Sequence, residues 1–144
     1  MTRINTIPPQ HLLDQHLFAE WRELPRVMAI ARPLRPREAP DAYALGRGHL
    51  KFFYGLTGYL SARHAQLTSE VVARGFRIES RPALEPVEGL AGDWVPTADD
   101  HVTNLDRLAA RQEARPGFYK LRGKPARHDH YRRLLGRVAA GGVL

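Results

Sequence analysis

Leu13, Leu17, Trp21, Leu24 and Met28 step along the chain by three and four residues, and no other feature constrains the fold as strongly. Residues at those intervals share one face of a helix, so this stretch must lay an apolar stripe against a core. The spacing predicts a first helix over residues 11–31. Pro25 lies inside it and removes one backbone N–H, which predicts a kink near residues 21–23. A second helix is expected over 56–74, with Leu56, Leu60, Leu67 and Val71 buried and Gly75 as its stop. Thr97-Ala98-Asp99-Asp100 resembles a capping box ahead of a third helix, whose stripe is Val102, Leu105, Leu108 and Ala109 and which ends at Arg115-Pro116-Gly117.

The segments between these helices are irregular. Residues 33–40 are rich in Pro and Arg without periodicity, Gly46-Arg47-Gly48-His49 reads as a turn, and residues 50–54 are an aromatic entry to the second helix. Gly75-Phe76-Arg77-Ile78 should turn back and pin Phe76 or Ile78 into the core. Residues 79–96 read as loop, and a short further helix is expected over 130–139. The expected fold is all-α: a small single domain of three main helices with long irregular loops. A chain of 144 residues suffices for one such core. No long apolar stripe is left over, so a monomer is expected.

Composition narrows the chemistry. There is no cysteine, which excludes disulfides, thiol catalysis and cysteine-ligated zinc. The polar, proline-bearing start lacks the apolar run of a signal peptide, and no stretch is apolar enough to span a membrane. A cytoplasmic protein is expected. The net charge of +7 comes from residues 115–144, which hold eight basic residues against Asp129 alone. Nineteen of the 22 basic residues are Arg, the side chain suited to bidentate phosphate contacts. A solubilising basic tail and a polyanion-binding end both fit, and nucleic acid is the commonest polyanion. On the second reading, association with the nucleoid through DNA binding is expected.

On the first helix Gln15, Arg22 and Arg26 fall together opposite the apolar stripe, with His16 and Glu23 along one edge of that polar sector. An ordinary solvated face with Glu–Arg pairs has the same pattern. Thr2 offers a sharper reading. Thr is small enough for removal of Met1, and the α-amine so exposed has a reference pKa of about 7.7–8.0, well below that of Lys. Positive charge from Arg3, Arg22 and Arg26 would lower it further. A neutral amine of this kind can attack a sugar C1′ and form an imine. A frayed terminus is the plain alternative. His128-Asp129-His130 has poor spacing for a metal site, and His64, Trp21 and the Phe52-Phe53-Tyr54 cluster read first as core.

Several runs carry a more specific signal: Met1-Thr2-Arg3-Ile4-Asn5, Asp14-Gln15-His16-Leu17, Ala19-Glu20 and Arg22-Glu23-Leu24-Pro25-Arg26-Val27. Gly48-His49, Phe52-Phe53-Tyr54, Arg74-Gly75-Phe76, Gly92-Asp93, Arg107-Leu108, Arg115-Pro116, Tyr119-Lys120 and Gly123-Lys124 follow in order. Over residues 1–124 the chain resembles the bacteriophage endonuclease V-like family of pyrimidine-dimer DNA glycosylase/AP lyases, leaving 125–144 as a basic C-terminal extension. The resemblance implies that the Thr2 amine attacks C1′ and expels the base, and that Glu23 stabilises the charge developing at the sugar. β-Elimination then cuts the strand. It implies no cofactor and no metal, because the imine is the electron sink.

The partner so implied is double-stranded DNA containing pyrimidine dimers or abasic sites, sharply kinked and with the adenine opposite the lesion turned out. Such deformation costs less where a dimer has already weakened stacking. Arg3, Gln15, His16, Arg22 and Arg26 would hold phosphates, Arg107 and Arg111 would face DNA from the other side, and Lys120 and Lys124 would add contacts. The family pattern has Lys at position 111. The connector over 32–47 is shorter and richer in Pro than the family's, and its aromatic end survives as Phe118-Tyr119. The same scaffold acting on another base lesion, or a non-catalytic binder of bent or abasic DNA, are the alternatives.

Overall fold

Apolar periodicity and end-capping chemistry produce five helices in a computed structural model, which describes residues 3–38, 40–79 and 83–144. A 3-10 turn at Pro9–His11 leads into α1 (Asp14–Ile30), followed by α2 (His49–Phe52), α3 (Thr57–Ala73) and α4 (Ala98–Ala114). A hairpin of two short strands, β1 (Lys120–Leu121) and β2 (Lys124–Pro125), precedes α5 (His130–Ala139). The fold is all-α, as expected. The tail contributes a fourth long helix, and the aromatic entry before α3 curls into the single turn of α2.

The helix ends follow local chemistry. α1 begins three residues later than the stripe suggested, because the backbone of 9–11 is spent on the 3-10 turn. It then runs unbroken through Pro25. The Thr97 hydroxyl accepts from the Asp100 N–H at 3.2 Å while the Asp100 carboxylate accepts from the Thr97 N–H at 2.8 Å, a complete capping box for α4. Gly75, at φ 82°, follows the last turn of α3 in a conformation that side-chain-bearing residues resist.

Packing groups the residues into two compact units, Met1–Ile4 with Phe18–Val95 and Asn5–Leu17 with Pro96–Leu144. In the first, Leu24 and Val27 of α1 and Leu60, Leu67 and Val71 of α3 are fully buried with Phe53. Phe53 sits among the rings of Tyr43, His49, Phe52, Tyr59 and Trp94. Trp21 is half-buried and donates its indole N–H to Thr68 Oγ1 at 2.9 Å, and His64 is buried, which lowers its pKa. A Cβ at Gly58 would lie 2.7 Å from the Ala91 carbonyl, so only glycine lets the loop after α3 return against its first turn. Phe76 and Ile78 are half-buried rather than core; Phe76 meets Phe18 at 5.7 Å between ring centroids.

In the second unit Leu12, Leu13 and Leu17 are buried with Leu105 and Leu108 of α4 and with Tyr131, Leu134 and Val138 of α5. These α5 positions recur at three and four residues, so its apolar stripe faces the core and its arginines face out. The Arg132 guanidinium reaches Glu113 at 2.7 Å and Asp106 at 2.9 Å, both on α4.

Candidate active site

In the first unit the main chain at Ile4 is held from two sides. Its N–H donates to His49 Nε2 at 2.8 Å, and its carbonyl accepts from the Tyr43 hydroxyl at 3.1 Å. His49 can accept at Nε2 because its Nδ1–H donates to the Ala44 carbonyl at 2.8 Å, which fixes the tautomer. Ile4 is itself fully buried. Position 2 lies outside the described residues; the clamp acts on the backbone two residues after it.

Further along the same unit, α1 carries Arg22, Glu23 and Arg26. Glu23 is half-buried, and among the described residues its carboxylate has no hydrogen bond or ion pair. Arg22 and Arg26 are exposed, and the Arg22 guanidinium lies 5.8 Å from the centre of the Phe18 ring rather than on Glu23. The expected Glu–Arg pairs of a merely solvated face are therefore not made. Arg3 is half-buried. One turn before Glu23, Glu20 has the opposite fate: it is buried and receives Arg63 Nε at 2.8 Å and Nη2 at 3.0 Å. Burial opposes the Arg63 charge, yet the Glu20 carboxylate raises its pKa above the usual value.

In the second unit three consecutive residues of α1 organise the hairpin. The Asp14 carboxylate accepts from the Arg122 N–H at 3.0 Å and the Gly123 N–H at 2.8 Å. Gln15 donates to the Phe118 carbonyl at 2.7 Å and accepts from the Lys120 N–H at 3.0 Å. His16 stacks on Tyr119, with 4.6 Å between ring centroids. The turn residues Arg122 and Gly123 have φ of 52° and 80°, the left-handed pair a two-residue hairpin demands. Lys120 and Lys124 are exposed on the strands so fixed.

His16 Nδ1 lies 2.7 Å from the Tyr131 hydroxyl, which also accepts from the Leu13 N–H at 2.9 Å. Burial, reinforced by the charges of Arg107 and Arg111, lowers the His16 pKa from 6.5 to about 4. A neutral imidazole therefore stands beside two guanidinium groups at physiological pH. Arg107 is half-buried and Arg111 exposed one turn later on α4.

The predicted residues thus form two sets. Arg3, Arg22, Glu23 and Arg26 belong to the first unit, and Gln15, His16, Arg107, Arg111, Lys120 and Lys124 to the second. Among the described residues no three His, Asp or Glu side chains gather as a metal site. Sequence reasoning missed Tyr43 and His49 as the clamp on Ile4, and Asp14 as the anchor of the hairpin turn. His49 carried a signal, in a Gly-His pair that opens an aromatic run. Asp14 carried one too, as an acidic residue in the first turn of a helix.

Glu23 can stabilise a cation beside it, and the arginines can bind phosphates. A comparison with protein families places the same residues in a known context: the model for pyrimidine dimer DNA glycosylase matches residues 1–82, which hold the Ile4 clamp, all of α1 and α3. The chain belongs to the pyrimidine dimer DNA glycosylase family and is, at that level, a DNA repair glycosylase.

Proposed function

We propose that the chain excises cyclobutane pyrimidine dimers from duplex DNA and then cuts the abasic strand itself. The Thr2 α-amine attacks C1′ of the damaged nucleotide. The N-glycosidic bond breaks, its electron pair leaves with the base, and the base takes up a proton. Loss of a proton from nitrogen and opening of the sugar ring leave an imine between Thr2 and C1′. Removal of a C2′ proton then expels the 3′ oxygen, with the imine taking the electrons. Abasic sites enter the same sequence after base loss. The enzyme works as a monomer, without a metal.

The observation that carries this reading is the state of Glu23: half-buried, on the helix bearing Arg22 and Arg26, its carboxylate committed to no other group among the described residues. A carboxylate left in that condition can offset positive charge developing at the sugar and pass protons in the later steps. The clamp on Ile4 gives a second support, since a nucleophile at position 2 needs a fixed backbone behind it.

The test uses three duplexes in EDTA: ultraviolet-irradiated, abasic and undamaged. The proposal expects strand breaks at dimers and at abasic sites, with ends of β-elimination, and none in undamaged DNA. Base release without strand cleavage would remove the lyase step. Cleavage that EDTA stops would remove the metal-free mechanism.

A further inference from the structure

α5, which lies beyond the family-matched residues, and the 3-10 turn line a surface groove of about 340 Å³ formed by His11, Arg127, His130, Arg133, Leu134 and Arg137. Three of its six residues are arginines, and all three are exposed. Two of its walls are fixed. His130 Nε2–H donates to the His11 carbonyl at 2.7 Å, tying the first turn of α5 to the 3-10 turn. The Arg127 carbonyl accepts from Gln112 of α4 at 2.6 Å.

Charge in this groove is left unbalanced. Arg132, the neighbour of Arg133, is neutralised by Asp106 and Glu113. Among the described residues Arg133 and Arg137 make no ion pair, although they sit one turn apart, where like charges on a helix repel. Arg127 pairs with Asp129 at 3.1 Å. Arg137 is held by its stem: α5 ends with Gly141 N–H on the Val138 carbonyl at 3.0 Å and Gly142 N–H on the Arg137 carbonyl at 2.8 Å. A Cβ at position 142 would fall 2.7 Å from Arg137 Cγ, so a glycine there lets the chain lie against that stem.

We infer that this groove is a phosphate-binding site, and that Arg133 and Arg137 grip the backbone of duplex DNA independently of any lesion. Two arginines whose helix positions are about 6 Å apart along the axis suit a polymer with repeated charge better than a single oxyanion. The choice of DNA rests on the family reading; the groove itself rests on geometry. Such an anchor holds the enzyme on undamaged duplex while it searches, by the salt-sensitive contacts that carry no sequence information.

The test is binding of a fluorescent, undamaged duplex across a salt series, for the full chain and for R133Q/R137Q and R137Q. Both side chains are exposed, so the fold should survive, and R137Q gives a milder second reading. The plot of log affinity against log salt should become shallower by roughly 1.8 in the double variant and roughly 0.9 in R137Q. Unchanged slopes and affinities in both variants would overturn the proposal. Inorganic phosphate distinguishes the ligand's source: displacement of duplex by phosphate no better than by chloride at equal ionic strength supports the DNA assignment. Saturable phosphate binding at the groove with an unaltered duplex slope would overturn it. No lesion and no turnover enter the assay, so an error in the proposed chemistry would leave its outcome untouched.

Discussion

Two faces of α1 treat the same residue type in opposite ways. On the inner face Glu20 is buried and locked to Arg63 through two hydrogen bonds; one turn later, at the surface, Glu23 keeps a half-buried carboxylate with no partner among the described residues. The first arrangement fixes α1 to α3, and removing either partner would strand a charge inside the core. The second contributes nothing visible to the fold. The Glu20 pair serves architecture, and the proposed function assigns Glu23 to chemistry.

The largest expected effect breaks the comparison at Glu23. Glu23→Gln should slow base excision by about 10²–10⁴-fold, with melting temperature and affinity for dimer-containing duplex little changed. Single-turnover excision measures it, and a normal rate would end the assigned role. Glu20→Ala should do the reverse. It strands Arg63 and should cost about 3–5 kcal/mol in denaturant unfolding. A variant as stable as the parent would show the pair to be ornamental.

His16 sharpens the contrast by pH. Its native pKa of about 4 lies below the ordinary 6.5, so the unfolded chain binds a proton that the native state refuses. Stability should therefore be full above pH 6.5, fall as pH drops toward 4, and flatten below that. The contribution is up to about 3 kcal/mol. Comparing unfolding of the parent and His16→Gln over that window isolates it; an identical pH slope in both would contradict the burial argument. The smallest effect is at the clamp. His49→Phe leaves the Ile4 N–H without its acceptor and should cost about 1–3 kcal/mol. Its signature is slower covalent trapping with lesion affinity retained. Equal losses in both would mark His49 as merely structural.

Much of the fold was legible because it is written locally. The three-and-four stripe of α1, the Thr97–Asp100 capping box and the stop at Gly75 each involve residues within a turn or two. The short tail helix expected over 130–139 is present, and its buried Tyr131, Leu134 and Val138 keep the same three-and-four spacing. Residues 80–82, inside the segment read as loop, lie outside the described residues. What stayed hidden depends on partners far along the chain. Asp14 and Gln15 looked like polar helix positions, and their work is on main-chain groups at 118–123. No periodicity reports such a pairing. Glu20 and Glu23 are likewise indistinguishable until Arg63, on another helix, is seen to choose between them.

Reductive trapping tests the central claim most directly. The processed protein is incubated with an irradiated duplex and borohydride, and the DNA-bearing peptide is identified by mass. The account predicts a single adduct, on the α-amine of Thr2, which disappears when that amine is acetylated or Met1 is retained. Cleavage of dimers at the normal rate by protein whose α-amine is fully blocked would contradict it.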